Sequence, residues 1–279
     1  MEPLLRVEHL TIQYEGKEAV KDVSFALQEG EILGIAGESG SGKSTLLWSL
    51  LGIPRGGAAI SEGEIWYRDQ NITQLSEREL RRLRGPEIGM IVQDCRSSLC
   101  PTRTIGAQIT EMVREHEDSA VNPLRSMRRA FGSGNGKSSK KEIRLRAEAL
   151  FKKIGFTDCD RVWNSYPFEL SGGMNQRIGI CMAMMLHPAL LLADEPTSAL
   201  DAAVQKQTME ELLMLRKESG TAMILVTHNL ALVKRMADRV LILKDGEVQE
   251  YGPCSQVLEQ PESPYTKELL DARLHLRTE

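Results

Sequence analysis

The sequence predicts an α/β protein whose ligand groups gather at the carboxyl ends of its strands. Three observations carry this. Short apolar runs read as strands, segments with helical spacing separate them, and several runs close on polar or acidic residues.

In chain order, LRVEHLTIQY and AVKDVSFAL have the alternating, β-branched pattern of half-buried strands. After a break at Gly30, EILGIAG is more continuously apolar, as buried parallel strands are. GESGSGKST follows, and SGKSTLLWSLLGI then has helical spacing. IGMIVQD, ALLLADE and AMILVTH are further apolar runs with polar ends, while RVLILKDGEVQEY contains Asp245-Gly246, a strong hairpin signal. TIGAQITEMVREH and KKEIRLRAEALFKKIGF show helical periodicity on either side of a polar, Gly/Ser-rich stretch, so residues from about 95 to 169 are expected to form a helical insertion.

Composition narrows the function. A chain of 279 residues with 41% hydrophobic content can bury a substantial core. A net charge of -4 and pI near 5.9 argue against a general nucleic-acid binder. The five cysteines form no CxxC, so reduced thiols are expected instead of a disulfide framework or zinc site. No apolar run reaches the roughly 20 residues that span a bilayer, the nearest being cut by His187 and Pro188. MEPLLRVEHL lacks the regions of a secretory signal. The chain is therefore expected in the cytosol, with any membrane role exerted through a partner.

Two stretches look like phosphate cradles. Gly37, Glu38, Ser39, Gly40, Ser41, Gly42, Lys43, Ser44 and Thr45 fit G-x-x-x-x-G-K-[ST] between a predicted strand and a predicted helix. Glycines let the backbone wrap so that N–H groups face phosphate oxygens; Lys43 reaches the terminal phosphates and Ser44 can ligate Mg²⁺. GSGNGKSS, Gly132 to Ser139, fails on spacing, with Phe131 where glycine is required, and the basic RSMRRAF precedes it instead of a strand. It reads as a surface connection.

LLLADE supplies what a phosphate loop needs next. Asp194 can hold Mg²⁺ through water, and Glu195 can orient and polarise an attacking water. Gln93 and His228 end two other apolar runs; alone each would be a capped polar residue, but beside the loop and the acidic pair both read as site residues. LSGGMNQR provides Ser171, Gly172 and Gly173 as a second anion-binding helix start.

With these residues in this order and spacing, the chain resembles an ATP-binding cassette (ABC) ATPase along nearly its whole length. The resemblance implies a P-loop, RecA-like core sheet with an N-terminal antiparallel β subdomain and an inserted helical subdomain, over residues 1–250, followed by a short tail, 251–279. It makes Gly37 to Thr45 the Walker A loop, Gln93 the Q-loop, LSGGM the signature, ALLLADE the Walker B, Ser198 to Asp201 the D-loop and His228 the switch histidine. Tyr14 falls where the family stacks an aromatic on adenine, although it would also serve as an ordinary strand aromatic.

The implied roles follow. Glu195 is the general base; Ser44, Asp194 and Gln93 lie at the Mg²⁺; Gln93 also senses nucleotide and couples to the membrane partner; His228 stabilises the γ-phosphate. ATP is bound by the loop, with Asp201 of the D-loop also at the nucleotide, and, from a second ATPase packed head to tail, by that subunit's signature serine and glycines, the equivalents of Ser171, Gly172 and Gly173. The implied partners are a paralogous ATPase, two permease subunits and, indirectly, an extracytoplasmic solute-binding protein, with the chain at the cytoplasmic face of the membrane and no nucleic acid.

QDCRSSLCPTRTIGAQI, YPFELSGGMNQR, ADEPTSALD and YGPCSQVLEQPESPYTKELL resemble the peptide and nickel importers. Cys100, Ser263 and Asn175 depart from that group's frequent Asn, His and Arg. Many peptide-transporting members carry a longer cysteine-containing extension, whereas this sequence ends at Glu279, which keeps a nickel or metal-opine importer in play beside a peptide importer. A translation or DNA-repair ABC protein predicts tandem cassettes or a long coiled coil, and a silent cassette predicts loss of Glu195, His228 or the signature; none of these is seen. The glycine-loop comparison yields a first test: deleting Gly132 to Ser139 is expected to leave ATP affinity intact, and a loss of affinity would restore that segment as a site.

Overall fold

The computed structural model describes residues 2–117, 138–197 and 202–275. Ten strands lie among them: β1 (Leu5–Tyr14), β2 (Lys17–Leu27), β3 (Ile32–Ala36), β4 (Ala58–Tyr67), β5 (Gln70–Asn71), β6 (Ile88–Ile91), β7 (Leu190–Asp194), β8 (Ala222–Val226), β9 (Arg239–Lys244) and β10 (Glu247–Pro253). The chain divides into two compact units, Met1–Leu80 with Ala222–Glu279, and Arg81–Thr221.

In the first unit, β2, β1, β4 and β5 form an antiparallel sheet in that order. The second sheet of this unit has β3 between β8 and β9, parallel to both. β3 and β8 are buried at every residue, which is why their sequences are apolar without alternation. β10 returns antiparallel to β9 through the expected turn. Asp245 and Gly246 have φ 49° and 83°, the pair of positive values that a two-residue type I′ hairpin needs. The turn is also pinned. Lys21 N–H donates to the Gly246 carbonyl at 2.8 Å and Gly246 N–H donates to the Ser41 carbonyl at 3.1 Å. The Tyr251 hydroxyl donates to the Ala26 carbonyl at 2.9 Å and accepts from its N–H at 3.2 Å, fastening β10 to β2.

β4 is a strand that the sequence reading does not anticipate. Its middle, SEGE, breaks the alternation with exposed polar residues, and only pairing with β1 along its length reveals it.

In the second unit, β6 and β7 run parallel, with Ile91 opposite Ala193. Helices occupy Ile105–Glu117, Lys140–Lys153, Cys159–Asn164, Gly172–Met184 and Ala202–Ser219. The first buries Ile105, Ile109 and Val113, and the second Ile143, Ala147 and Phe151, one apolar face each at four-residue spacing. Ser139 starts the second helix with a capping box, its hydroxyl accepting from Glu142 N–H while the Glu142 carboxylate accepts from Ser139 N–H. Of the rejected glycine-rich stretch, Gly132 to Lys137 lies outside the described residues, and its end is this helix start.

Trp163 is buried over Gly106, where an added Cβ would fall 2.2 Å from the indole. Gly106→Ala is accordingly expected to cost about 1–3 kcal/mol through overpacking, seen as a lower urea midpoint by circular dichroism. An unchanged midpoint would mean that the indole moves aside freely.

Candidate functional site

The glycine-rich loop leaves β3 at Gly37. A Cβ there would lie 2.0 Å from the Leu243 carbonyl oxygen, and one on Gly42, at φ 98°, would lie 2.4 Å from that of Ala19. Both positions therefore require glycine, for space as well as for backbone angle. The loop folds back on itself, with Ser41 N–H donating to the Glu38 carbonyl at 3.3 Å.

Into this curve the Lys43 side chain turns. It is 7% exposed. Its ammonium donates to the carbonyls of Gly37 at 3.0 Å and Glu38 at 2.5 Å and to Ser41 Oγ at 3.2 Å. A buried cation is tolerable only with such partners, and oxygen-lined coordination of an ammonium shows that the loop brings charge to the place where its backbone converges. Ser44 is exposed on the first turn of the following helix, Lys43–Ser49. Thr45 is half-buried, its Oγ1 3.1 Å from the Tyr14 hydroxyl. The structure thus brings Tyr14 to the loop from the end of β1.

The β3–β8 register, Ile35 opposite Val226, sets the residues that follow these strands at one end of the sheet. Those residues are Gly37 and His228. Thr227 N–H continues the ladder to the Ile35 carbonyl at 3.2 Å. Asn229 then caps the helix Leu230–Met236, leaving His228 exposed between strand and cap.

In the second unit, Gln93 follows β6, Asp194 ends β7 and Glu195 comes directly after it. Asp194 is 6% exposed. Glu195 has φ 42°, a left-handed backbone that residues other than glycine, asparagine, aspartate and histidine rarely adopt. Its carboxylate accepts from Gln93 Nε2 at 3.3 Å, so two expected site residues meet although 102 positions apart.

Two residues with no expected role hold this corner. Gln176, buried in the helix Gly172–Met184, donates to the Pro196 carbonyl at 2.5 Å, one residue beyond Glu195. Asn175 is fully buried and donates to the carbonyls of Pro167 at 2.9 Å and Leu170 at 3.3 Å, folding the approach to Ser171 against its own helix. Its position was visible only as a departure from arginine. Ser171 caps the helix, accepting from Met174 N–H at 3.2 Å. Ser171 and Gly172 are exposed, and a Cβ on Gly172 would meet nothing within 4 Å. The D-loop, Ser198 to Asp201, lies outside the described residues.

Chemically, the first unit offers glycine-shaped backbone, an ammonium and hydroxyls, the set that grips phosphates. The second offers a buried carboxylate, a strained one touched by an amide, and an exposed serine–glycine helix start. These are parts for phosphoryl transfer to water.

Comparison with known proteins points the same way. The ABC transporter family profile matches residues 20–198. The oligopeptide transport ATP-binding protein of Bacillus subtilis is 39% identical over 272 residues, covering 96% of this chain and 71% of that one. The dipeptide transport ATP-binding protein of Escherichia coli K12 is 36% identical, covering 96% and 78%. Among solved structures, a dimeric ATP-binding cassette in a post-hydrolysis state with ADP and Pi is 29% identical, with a TM-score of 0.72 over 90% of this chain and 98% of that one. A cassette from Clostridium perfringens that is part of an ABC transporter complex is 26% identical, with a TM-score of 0.73 over 100% of both.

The segment after Gln93 is anchored by Cys95, which sits on Gly179 of the signature helix; a Cβ on that glycine would be 2.3 Å from Sγ. Burial pushes the Cys95 thiol up to about 12 and raises those of Cys181, Cys159 and Cys254, whereas hydrogen bonding to Thr102 lowers that of Cys100. A raised value keeps the unreactive thiol at pH 8, and a lowered one enlarges the thiolate share. Iodoacetamide at pH 8 is expected to modify Cys100 first and to spare Cys95, as read by peptide mass mapping; early labelling of Cys95 would contradict its packing on Gly179.

Proposed function

Because the chain belongs to the ABC transporter family and is one of its ATPases, we propose that it energises a peptide importer, hydrolysing ATP at a site built from the residues above. The observation that carries the reading is Glu195, a carboxylate held by Gln93 at a left-handed backbone position directly after buried Asp194.

In this reading Gly37 to Thr45 wraps the triphosphate, and Lys43 exchanges loop carbonyls for phosphate oxygens. Tyr14 lies against the adenine, consistent with its contact to Thr45. Ser44, Asp194 and Gln93 offer hard oxygen donors of the kind Mg²⁺ prefers. Bound Mg²⁺ would supply charge neutralisation at the phosphates. Glu195 accepts the proton of the attacking water as that water's oxygen bonds to the γ-phosphorus. The bond from that phosphorus to the bridging oxygen breaks, and ADP leaves. His228 steadies the γ-phosphate.

Exposed Ser171 and Gly172, with open space over the glycine, support a head-to-tail partner whose ATP they close, a paralogue of this chain. No described helix is long and apolar enough to cross a membrane. In this proposal, supported by the transport ATP-binding relatives, two permease subunits carry the cargo while the chain works at the cytoplasmic face, fed by an extracytoplasmic binding protein. The names of the bacterial relatives favour peptides over nickel or metal-opine chelates.

Glu195→Gln keeps the shape and the Gln93 contact but cannot take a proton. It is expected to bind ATP normally while kcat in the assembled transporter falls by about 10²-fold or more; turnover at the parental rate would remove Glu195 from the role of base. For cargo, stimulation of the reconstituted ATPase by binding protein loaded with a nickel chelate, and not by peptide-loaded protein, would overturn the peptide assignment.

A further inference from the structure

The last helix, Pro264–His275, has no part in the reaction described so far, yet it is tied to the phosphate loop. Its start is fixed by Glu250 on β10, whose carboxylate accepts from the N–H groups of Glu262 at 3.0 Å and Ser263 at 3.2 Å. Tyr265 then enters a core made with Ala36, Leu230, Val233, Val240, Ile242 and others. Ala36 is the residue before Gly37, and Leu230 is two residues past His228. The Tyr265 ring is 5% exposed, with the Lys244 ammonium 4.4 Å from its centroid.

The ring is apolar ballast; the hydroxyl is placed for something else. Glu38 N–H donates to it at 3.4 Å. That N–H belongs to the peptide unit whose carbonyl, on Gly37, accepts from Lys43 at 3.0 Å. A trans peptide is planar and sends its N–H and C=O to opposite sides. One rigid plate is therefore held by the tail on one side and by the phosphate-seeking lysine on the other. Rotating this peptide would turn the Glu38 N–H and move the carbonyl on which Lys43 rests.

We propose that Tyr265 is a positioning residue for nucleotide: its hydroxyl fixes the Gly37–Glu38 peptide opposite Lys43 and so presets the phosphate loop for ATP. The inference rests on the reading above that Gly37 to Thr45 holds the triphosphate. It gives the segment PESPYT, Pro261 to Thr266, a task in binding ATP, in addition to its share of the core.

Tyr265→Phe retains the ring, its burial and its place beneath Lys244, and removes the hydroxyl alone. In the full chain, affinity for methylanthraniloyl-ATP is expected to weaken about threefold, the low end for a single hydrogen bond because this one is long. In the assembled transporter KM for ATP should rise with kcat unchanged. A purely structural tyrosine would instead lower the melting midpoint of the nucleotide-free chain and leave affinity alone. Parental affinity in Tyr265→Phe overturns the proposal.

Lys43→Ala separates this failure from that of the loop assignment. If Lys43→Ala binds the probe as tightly as the parent, the loop assignment itself is wrong; if it loses the probe while Tyr265→Phe keeps it, only the tyrosine's role falls. Should Tyr265→Phe not fold, hydrogen exchange in the parent chain decides. The Glu38 amide is expected to exchange more slowly than those of Ser39 and Gly40, corrected for intrinsic rates, and exchange as fast as theirs would overturn the proposal.

Discussion

A buried ammonium governs the first unit. Lys43 is removed from water, and the free energy of doing so is tolerable only if oxygen atoms replace the lost hydration. Gly37, Glu38 and Ser41 supply them, and to do so the backbone must curl within six residues. That curl requires glycine angles at Gly37, Gly40 and Gly42. It also packs the loop so closely against Leu243 and Ala19 that no Cβ fits at its first and last glycines. Ala19 is pressed in turn by the hairpin glycine, Gly246, whose N–H holds Ser41. The placement of one charge thus reaches through the loop to the strand edges and the far hairpin.

The second unit solves a different problem, the aiming of a carboxylate. β7 ends in buried Asp194, and the chain reverses sharply at Glu195. Gln176 grips the Pro196 carbonyl and Gln93 touches the carboxylate itself. Both are amides, which bond without adding charge beside an acid. The signature helix therefore has two duties: its first residues face outward, and its second turn braces the segment that carries Glu195.

Much of this was legible in the sequence because its cause is local. Continuous apolar runs became β3, β7 and β8, since burial on both faces leaves no room for alternation. Asp245-Gly246 announced its hairpin through the angles those residues accept. The glycine-lysine-serine pattern announced the loop, because few other residues allow that curve. What stayed hidden depends on partners. β4 has an exposed polar middle and exists by pairing with β1. Nothing near Gln176 and Asn175 in the chain reveals that each bonds a carbonyl within the interior. The Tyr265 contact joins residues 227 apart, and tertiary folding alone creates it.

The backbone at Glu195 sets stability against the activity proposed for its carboxylate. A side chain held at φ 42° costs on the order of 1–3 kcal/mol relative to a relaxed conformation. Glycine would relieve the strain and yield a sturdier chain without the carboxylate that follows Asp194. The fold is therefore less stable at this position than its own sequence alphabet would permit, and, with Glu195 as the proposed base, stabilisation by substitution here would come at the expense of turnover.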